Sequence, residues 1–247
     1  MRRVLLATFA FVFTTTLGFA QAQPAPQAEP SPRVQPMFGK QPKTEAQQRQ
    51  DEKFLSSCDK NFTNRQEASN FFMERGWEYL NSGQTDTAMY RFNLAWLLNP
   101  DNKDTYWAFG LVTASKGQQD EAIGLYEKAL QYDPKNSMLL SDLGAAYLGV
   151  YKAKNKKKVL KKADEILSRS IATDTTNAYA LYNLSQVKFY EKKYAESWQY
   201  LHQSRNINLT QIDYTFLSEL MAKMPDPKGF FKATTPDAAQ DTSAKNN

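Results

Sequence analysis

The sequence predicts an all-α chain of stacked helix–turn–helix hairpins. Three observations carry that expectation. The text "NLAWLLNPDN" at 93–102 returns as "EKALQYDPKN" at 127–136, 34 residues later. Apolar residues between 43 and 224 recur at the three- and four-residue spacing of one helix face. Proline, which is excluded from helix interiors, is concentrated elsewhere: six of the eleven prolines fall in 23–42.

The chain of 247 residues is 41% hydrophobic and holds 13 Tyr, 15 Phe and 4 Trp, enough to build a sizeable core. Its start is expected to stand outside that core. Met1-Arg2-Arg3 is cationic, "VLLATFAFVFTTTLGFA" is apolar and uncharged, and "AQA" places Ala20 and Ala22 at the −3 and −1 places of a small-residue cleavage site. Residues 1–22 therefore read as a cleavable signal peptide, and the mature chain as periplasmic or secreted from a bacterium. A membrane anchor is the alternative; the stretch is short for a span and ends in a cleavage signal. The rest of a twin-arginine motif is weak, and no Cys follows the cleavage site to carry a lipid. Losing Arg2 and Arg3 takes the formal charge of +5 down by two, to a mildly basic +3. The single cysteine, Cys58, excludes an intrachain disulfide and is expected to be a half-buried free thiol.

Residues 23–42 read as an extended, mobile linker. The stretch 43–68 supplies a leading helix and a connection, with Asn64 and Glu67 arranged as a capping box for the next helix. Repeats follow at 69–102, 103–136, 137–177 and 178–211. In the first two, Phe72 and Tyr106 share place four, Gly76 and Gly110 place eight, and Gly83 and Gly117 place fifteen. Ala88 and Ala122 share place twenty, Phe92 and Tyr126 place twenty-four, Ala95 and Ala129 place twenty-seven, and Pro100 and Pro134 place thirty-two. The place-fifteen glycine ends the first helix. Small residues at places eight, twenty and twenty-seven let helices approach, and the place-twenty-four ring fills space between neighbouring units. Proline stops the second helix. One hairpin cannot bury its apolar face alone, so the units must stack.

The third unit keeps Leu140, Leu143, Gly144 and Tyr147, but its next landmark, Ala163, arrives seven residues late. That implies an insertion at the turn or a lengthened second helix. Thr175 stands where Pro is expected. The fourth unit has Leu181, Leu184, Ser185, Ser197, Leu201 and Ser204. Residues 212–224 form one more amphipathic helix that closes the stack, and 225–247 read as a loose tail.

These residues resemble the tetratricopeptide repeat (TPR) family over 69–211. The resemblance implies a right-handed superhelix whose first helices line a concave face with places two, five, nine and twelve. It also implies protein binding rather than catalysis. The departures are Arg75 at a usually apolar place, the insertion, and the missing terminal prolines. The implied groove contains Asn70, Met73, Trp77 and Leu80, then Asp104, Trp107, Leu111 and Ala114. Met138, Ser141, Ala145 and Leu148 follow, then Tyr179, Tyr182, Gln186 and Phe189. Members that clamp peptide carboxylates carry Lys and Asn where this chain has Met73 and Trp77, so that activity is not carried over. An aromatic groove predicts an amphipathic helix or extended peptide as partner; the competing reading packs Trp77 and Trp107 between helices or under the N-terminal segment.

Lysines 152, 154, 156, 157, 158, 161 and 162 crowd the insertion. Lys154, Lys156, Lys157, Lys158, Lys161 and Lys162 offer a basic patch for an anionic non-protein ligand or membrane surface, or simply a solvated helix extension. Nucleic acid is not expected. His202 is the only histidine, too little for a structural zinc site, and a Ser-His-Asp triad could be built on it alone. Phosphate-loop, HExxH and EF-hand motifs are absent. An envelope-polymer hydrolase is thereby disfavoured. The expectation is a scaffold or adaptor in the bacterial envelope, without enzyme activity, cofactor or metal.

Overall fold

The computed structural model describes residues 31–231. The expected signal peptide at 1–22, residues 23–30 of the linker and the tail from 232 onward lie outside the described residues. Ten α-helices account for most of the described chain, and no strand occurs among those residues. They are α1 (Glu45–Asn61), α2 (Arg65–Asn81), α3 (Thr85–Leu98), α4 (Lys103–Ser115), α5 (Gln119–Tyr132), α6 (Ser137–Lys154), α7 (Lys157–Thr173), α8 (Ala178–Tyr190), α9 (Tyr194–Ile207) and α10 (Tyr214–Lys223). The hairpins are α2–α3, α4–α5, α6–α7 and α8–α9. Successive first helices touch (α2 with α4, α4 with α6, α6 with α8), whereas successive second helices make sparse contact at most. The stack therefore curves with its first helices inside.

The repeat landmarks close each hairpin from within. A Cβ on Gly76 would fall 2.2 Å from the Phe92 ring, one on Gly110 2.4 Å from the Tyr126 ring, and one on Gly144 2.5 Å from Leu167. The place-twenty-four side chain thus seats on the place-eight glycine of its own hairpin, rather than only filling space between units. In the last hairpin Ser185 replaces glycine and its hydroxyl donates to the Ser197 carbonyl at 2.8 Å.

Turns follow the same positions. Gly83 (φ +77) and Gly117 (φ +79) adopt the left-handed conformation that a residue without Cβ takes cheaply. The next amide bonds back across the helix end, Gln84 N–H to the Tyr79 carbonyl at 2.9 Å and Gln118 N–H to the Thr113 carbonyl at 3.2 Å. Lys192 (φ +64) occupies that place in the last hairpin, and Asn155 (φ +50) ends α6. The insertion lengthens both helices of the third hairpin, to 18 and 17 residues in α6 and α7.

The missing prolines have a substitute. Each second helix ends on Asn99, Asp133, Asp174 or Asn208, all at φ between −140 and −147. Asp174 Oδ1 accepts from the Thr176 amide, and Asn208 Oδ1 from the Thr210 amide, so a side-chain turn stops the helix without proline. Asn102, Asn136 and Asn177 then cap the following first helices.

Two stretches read from sequence as loose are docked where they are described. Residues 31–40 form two short 3-10 turns, Pro32–Val34 and Pro36–Lys40, against α3 on the outer side of the stack. Asn93 of α3, fully buried, donates to the Arg33 carbonyl (3.0 Å) and the Gln35 carbonyl (2.8 Å) and accepts from the Phe38 amide (3.2 Å). Met37 packs on the core beside it. These contacts hold Met37, Phe38, Gly39 and Lys40 at positive φ, a conformation costing about 1–2 kcal/mol per non-glycine residue. At the other end, the Trp198 indole N–H donates to the Met224 carbonyl (3.0 Å), and His202 Nε2 meets Asp226 Oδ1 at 2.8 Å. Phe231 stacks on both rings. His202 is therefore a buried clamp for residues 224–231, and Cys58 is buried against Ala68 and Leu98 rather than half-exposed.

Candidate functional site

The inner face carries the residues expected to bind a partner, and the structure divides them into two groups. Trp77 of α2 and Trp107 of α4 lie edge to face with ring centroids 6.3 Å apart, both half-buried. Trp77 also packs edge-on against Phe92 at 5.2 Å, which anchors it to its own hairpin. Leu80, Leu111 and Tyr179 are likewise half-buried. These five side chains keep solvent-facing surface on the inner face.

Of the remaining four, Met73, Tyr182 and Gln186 are buried, and Phe189 is half-buried beside the closing helix. Met73 is 5% exposed and belongs to the core between α2 and α3. Tyr182 is 8% exposed; the Phe216 ring of the closing helix α10 stands 5.9 Å away, nearly perpendicular. Phe216 lies 5.5 Å from Phe189 as well. Gln186 is buried and its Oε1 accepts from Lys152 Nζ at 2.5 Å. The cause is positional: α8 has no following repeat, so α10 covers the apolar places a fifth hairpin would otherwise meet. The open part of the face belongs to the first three hairpins and the start of α8.

Sequence reasoning missed Asp142. It lies on α6 between apolar residues, and its Oδ2 accepts the Trp107 indole N–H at 2.7 Å. Burial raises its carboxyl from the usual range to about 6, against the lowering effect of that hydrogen bond. Burial, then the Asp142 charge, also raises the hydroxyls of Tyr126 and Tyr179. The available signal was an ionisable residue inside "LLSDLGAA", on the apolar side of a helix.

Lys154 pairs with Asp120 (2.8 Å) and Lys162 with Glu165 (3.2 Å). Lys156, Lys157, Lys158 and Lys161 are exposed at the start of α7, where cations oppose the helix dipole. Elsewhere, a cavity of about 360 Å³ opens between the docked N-terminal segment, α1 and α3, lined by Arg33, Phe38, Asp51, Phe54 and Tyr90 among others. Among the described residues no group of three or more His, Cys, Asp or Glu side chains could hold a metal, and no helix is long and apolar enough to cross a membrane.

Comparison with known proteins agrees with this architecture. The TPR repeat family model matches residues 110–150. The BBSome complex member BBS4 of Bos taurus is 34% identical over 105 residues, covering 42% of this chain and 18% of its own length. The type IV pilus assembly protein PilF of Pseudomonas aeruginosa is 24% identical over 147 residues, covering 60% of this chain and 56% of its own. The chain thus spans well under two thirds of either curated relative. Among solved structures, a thermophilic TPR protein of Thermus thermophilus superposes with a TM-score of 0.57 at 18% identity, over 63% of this chain and 82% of that one. The Pseudomonas aeruginosa PilF structure gives 0.53 at 24% identity, over 64% and 70%. With its 34-residue landmarks, its four stacked hairpins and this match at 110–150, the chain has the all-α superhelical fold of stacked helix–turn–helix repeats that solved TPR proteins share.

Proposed function

We propose that this chain is an exported, non-catalytic scaffold that binds a protein partner in the bacterial cell envelope through its concave face. The observation that carries this reading is the half-exposed Trp77–Trp107 pair, continued by Leu80, Leu111 and Tyr179 on helices that face inward. Trp and Tyr anchors in a preformed concave surface are where binding energy concentrates. The partner then offers an amphipathic helix or an extended segment with large apolar side chains. The similarity to PilF, an assembly protein of type IV pili, supports a role in bringing proteins together.

The test is capture from the native envelope by the full chain, by Trp107→Ala and by Trp77→Ala, each with its melting curve. The expected result is loss of the captured protein with both variants still folded. Capture that survives while melting falls would assign both indoles to packing instead. Export has its own check: the mature chain isolated from the envelope should begin at Gln23. An uncleaved chain confined to the cytoplasm would refute it.

A further inference from the structure

The open face carries a carboxylate, Asp142, that no cation among the described residues pairs. Other acids drawn into the folded stack have partners: Asp164 has Lys188 at 2.6 Å, Asp133 has Lys103 at 2.9 Å, and Asp226 has the His202 ring at 2.8 Å with the Lys228 and Phe231 amides. Asp142 has only the neutral indole of Trp107. Asp142 is half-buried, and a partly desolvated charge without a counter-charge is costly, so native structures pair such groups or coordinate them.

The neighbours of α6 confirm that the pairing is missing among the described residues. The groups turned toward Asp142 are Trp107 from α4, Tyr126 from α5 and Tyr179 from α8, all uncharged at neutral pH. The cations of the surrounding helices are paired elsewhere or stand exposed, Arg169 of α7 among the latter. Lys103 holds Asp133, Lys188 holds Asp164, and Lys128 lies over the Tyr106 and Tyr132 rings. On α6 itself, Lys152 is directed to Gln186 and Lys154 to Asp120. On α7, Lys162 faces Glu165, and Lys157, Lys158 and Lys161 stand in solvent at its start.

We propose that Asp142 is the specificity residue of the concave face, receiving the ammonium or guanidinium group of a Lys or Arg side chain presented by the partner beside Trp107. The inference rests on the concave-face reading above and names the chemistry of its ligand: a segment with a basic side chain next to a large apolar one. The carboxylate supplies the charge, the indole faces supply the stacking surface that an extended cation prefers, and Trp107 holds the carboxylate in place. The charge left unpaired in the free protein is compensated on binding, when the partner's cation replaces water.

The experiment is selection of random twelve-residue peptides on the full purified chain, followed by titration of the strongest against Asp142→Asn and Trp107→Ala. Asn keeps an oxygen to accept the indole N–H and removes a half-buried, desolvated charge, so that variant stays folded. The proposal expects one Lys or Arg position enriched beside an apolar residue. It expects about a 10- to 100-fold weaker affinity for Asp142→Asn, and wild-type affinity that falls between pH 7.5 and 5 while the variant's does not. Peptides lost with Trp107→Ala but lacking a basic position, or binding Asp142→Asn unchanged, overturn the proposal and leave the concave face standing. Peptides indifferent to Trp107→Ala, or none at all, overturn the concave-face reading itself, and this inference with it.

Discussion

The two end hairpins and the two middle ones differ at one outer position, place twenty-five. At place twenty-five the first hairpin has Asn93 and the last has His202, both buried, and each pins a terminal segment of the chain. The middle hairpins have Glu127 and Ser168 there, both exposed. A repeat inside the stack is covered on both sides by its neighbours; one at the end is not. Capping is therefore done by short non-repetitive segments, and a polar side chain on the second helix fixes them by reading backbone groups. The two clamps also differ from each other. Asn93 is a neutral amide making three bonds to main chain, whereas His202 meets a carboxylate that also accepts the Lys228 and Phe231 amides.

The sharpest break of this comparison is alanine at place twenty-five. Asn93→Ala should cost about 3 kcal/mol, since three bonds are lost and buried backbone groups are left unpaired. Limited proteolysis would show residues 31–40 released. His202→Ala should cost a similar amount and free 224–231. Glu127→Ala and Ser168→Ala should stay within about 0.5 kcal/mol by the same melting assay. Equal losses at all four would show that the ends are not special.

Next in size is the middle of the stack, where Asp142→Asn should stabilise the free protein by about 2 kcal/mol at pH 7.5. The sign follows from the raised carboxyl. Between its unfolded value near 3.9 and about 6, the folded state binds the extra proton, so wild-type stability declines as pH rises through that window. The variant should lack the decline, and paired melts at pH 4.5 and 7.5 would reveal it.

The turns give a smaller contrast between first and last hairpins. Gly117→Ala should destabilise by about 1 kcal/mol, because nothing crowds the site and only its positive φ penalises a Cβ. Lys192→Gly, at the same place of the last hairpin, should stabilise by about 0.5–1 kcal/mol. The smallest effect separates the two clamps. Burial opposes the Asp226 charge, but the Phe231 and Lys228 amides and His202 hold its carboxyl below the usual range. Its contribution is present above about pH 4 and lost as pH falls below the folded value. Amide exchange in 224–231 should therefore quicken in acid before exchange in 31–40 does.

Much of the architecture was legible because it is periodic. The 34-residue recurrence of Gly, aromatic and Pro positions located the first two hairpins, and the late arrival of Ala163 located the lengthened third. The Asn or Asp that ends every second helix is equally visible in the sequence, whereas the proline beside it marks only the first two units. The site was less legible. Place numbers put Tyr182, Gln186 and Phe189 on the inner face, yet α10 and Lys152 cover the first two and α10 partly covers Phe189. Asn93 stood in the first repeated line, between Phe92 and Leu94, and only its buried setting showed that it reads the backbone of a segment 55 to 60 residues away.

What the sequence determined by itself is the repeated part. Helix faces and caps are set by residues a few positions apart, glycine seats by pairs within one hairpin, and each hairpin states them again. What only the tertiary structure decided is which inner residues remain open and which acid lacks a counter-charge. Both depend on pairs far apart in the chain, such as Phe216 with Tyr182 and Trp107 with Asp142, whose meeting is fixed by how the hairpins stack and not by any local pattern.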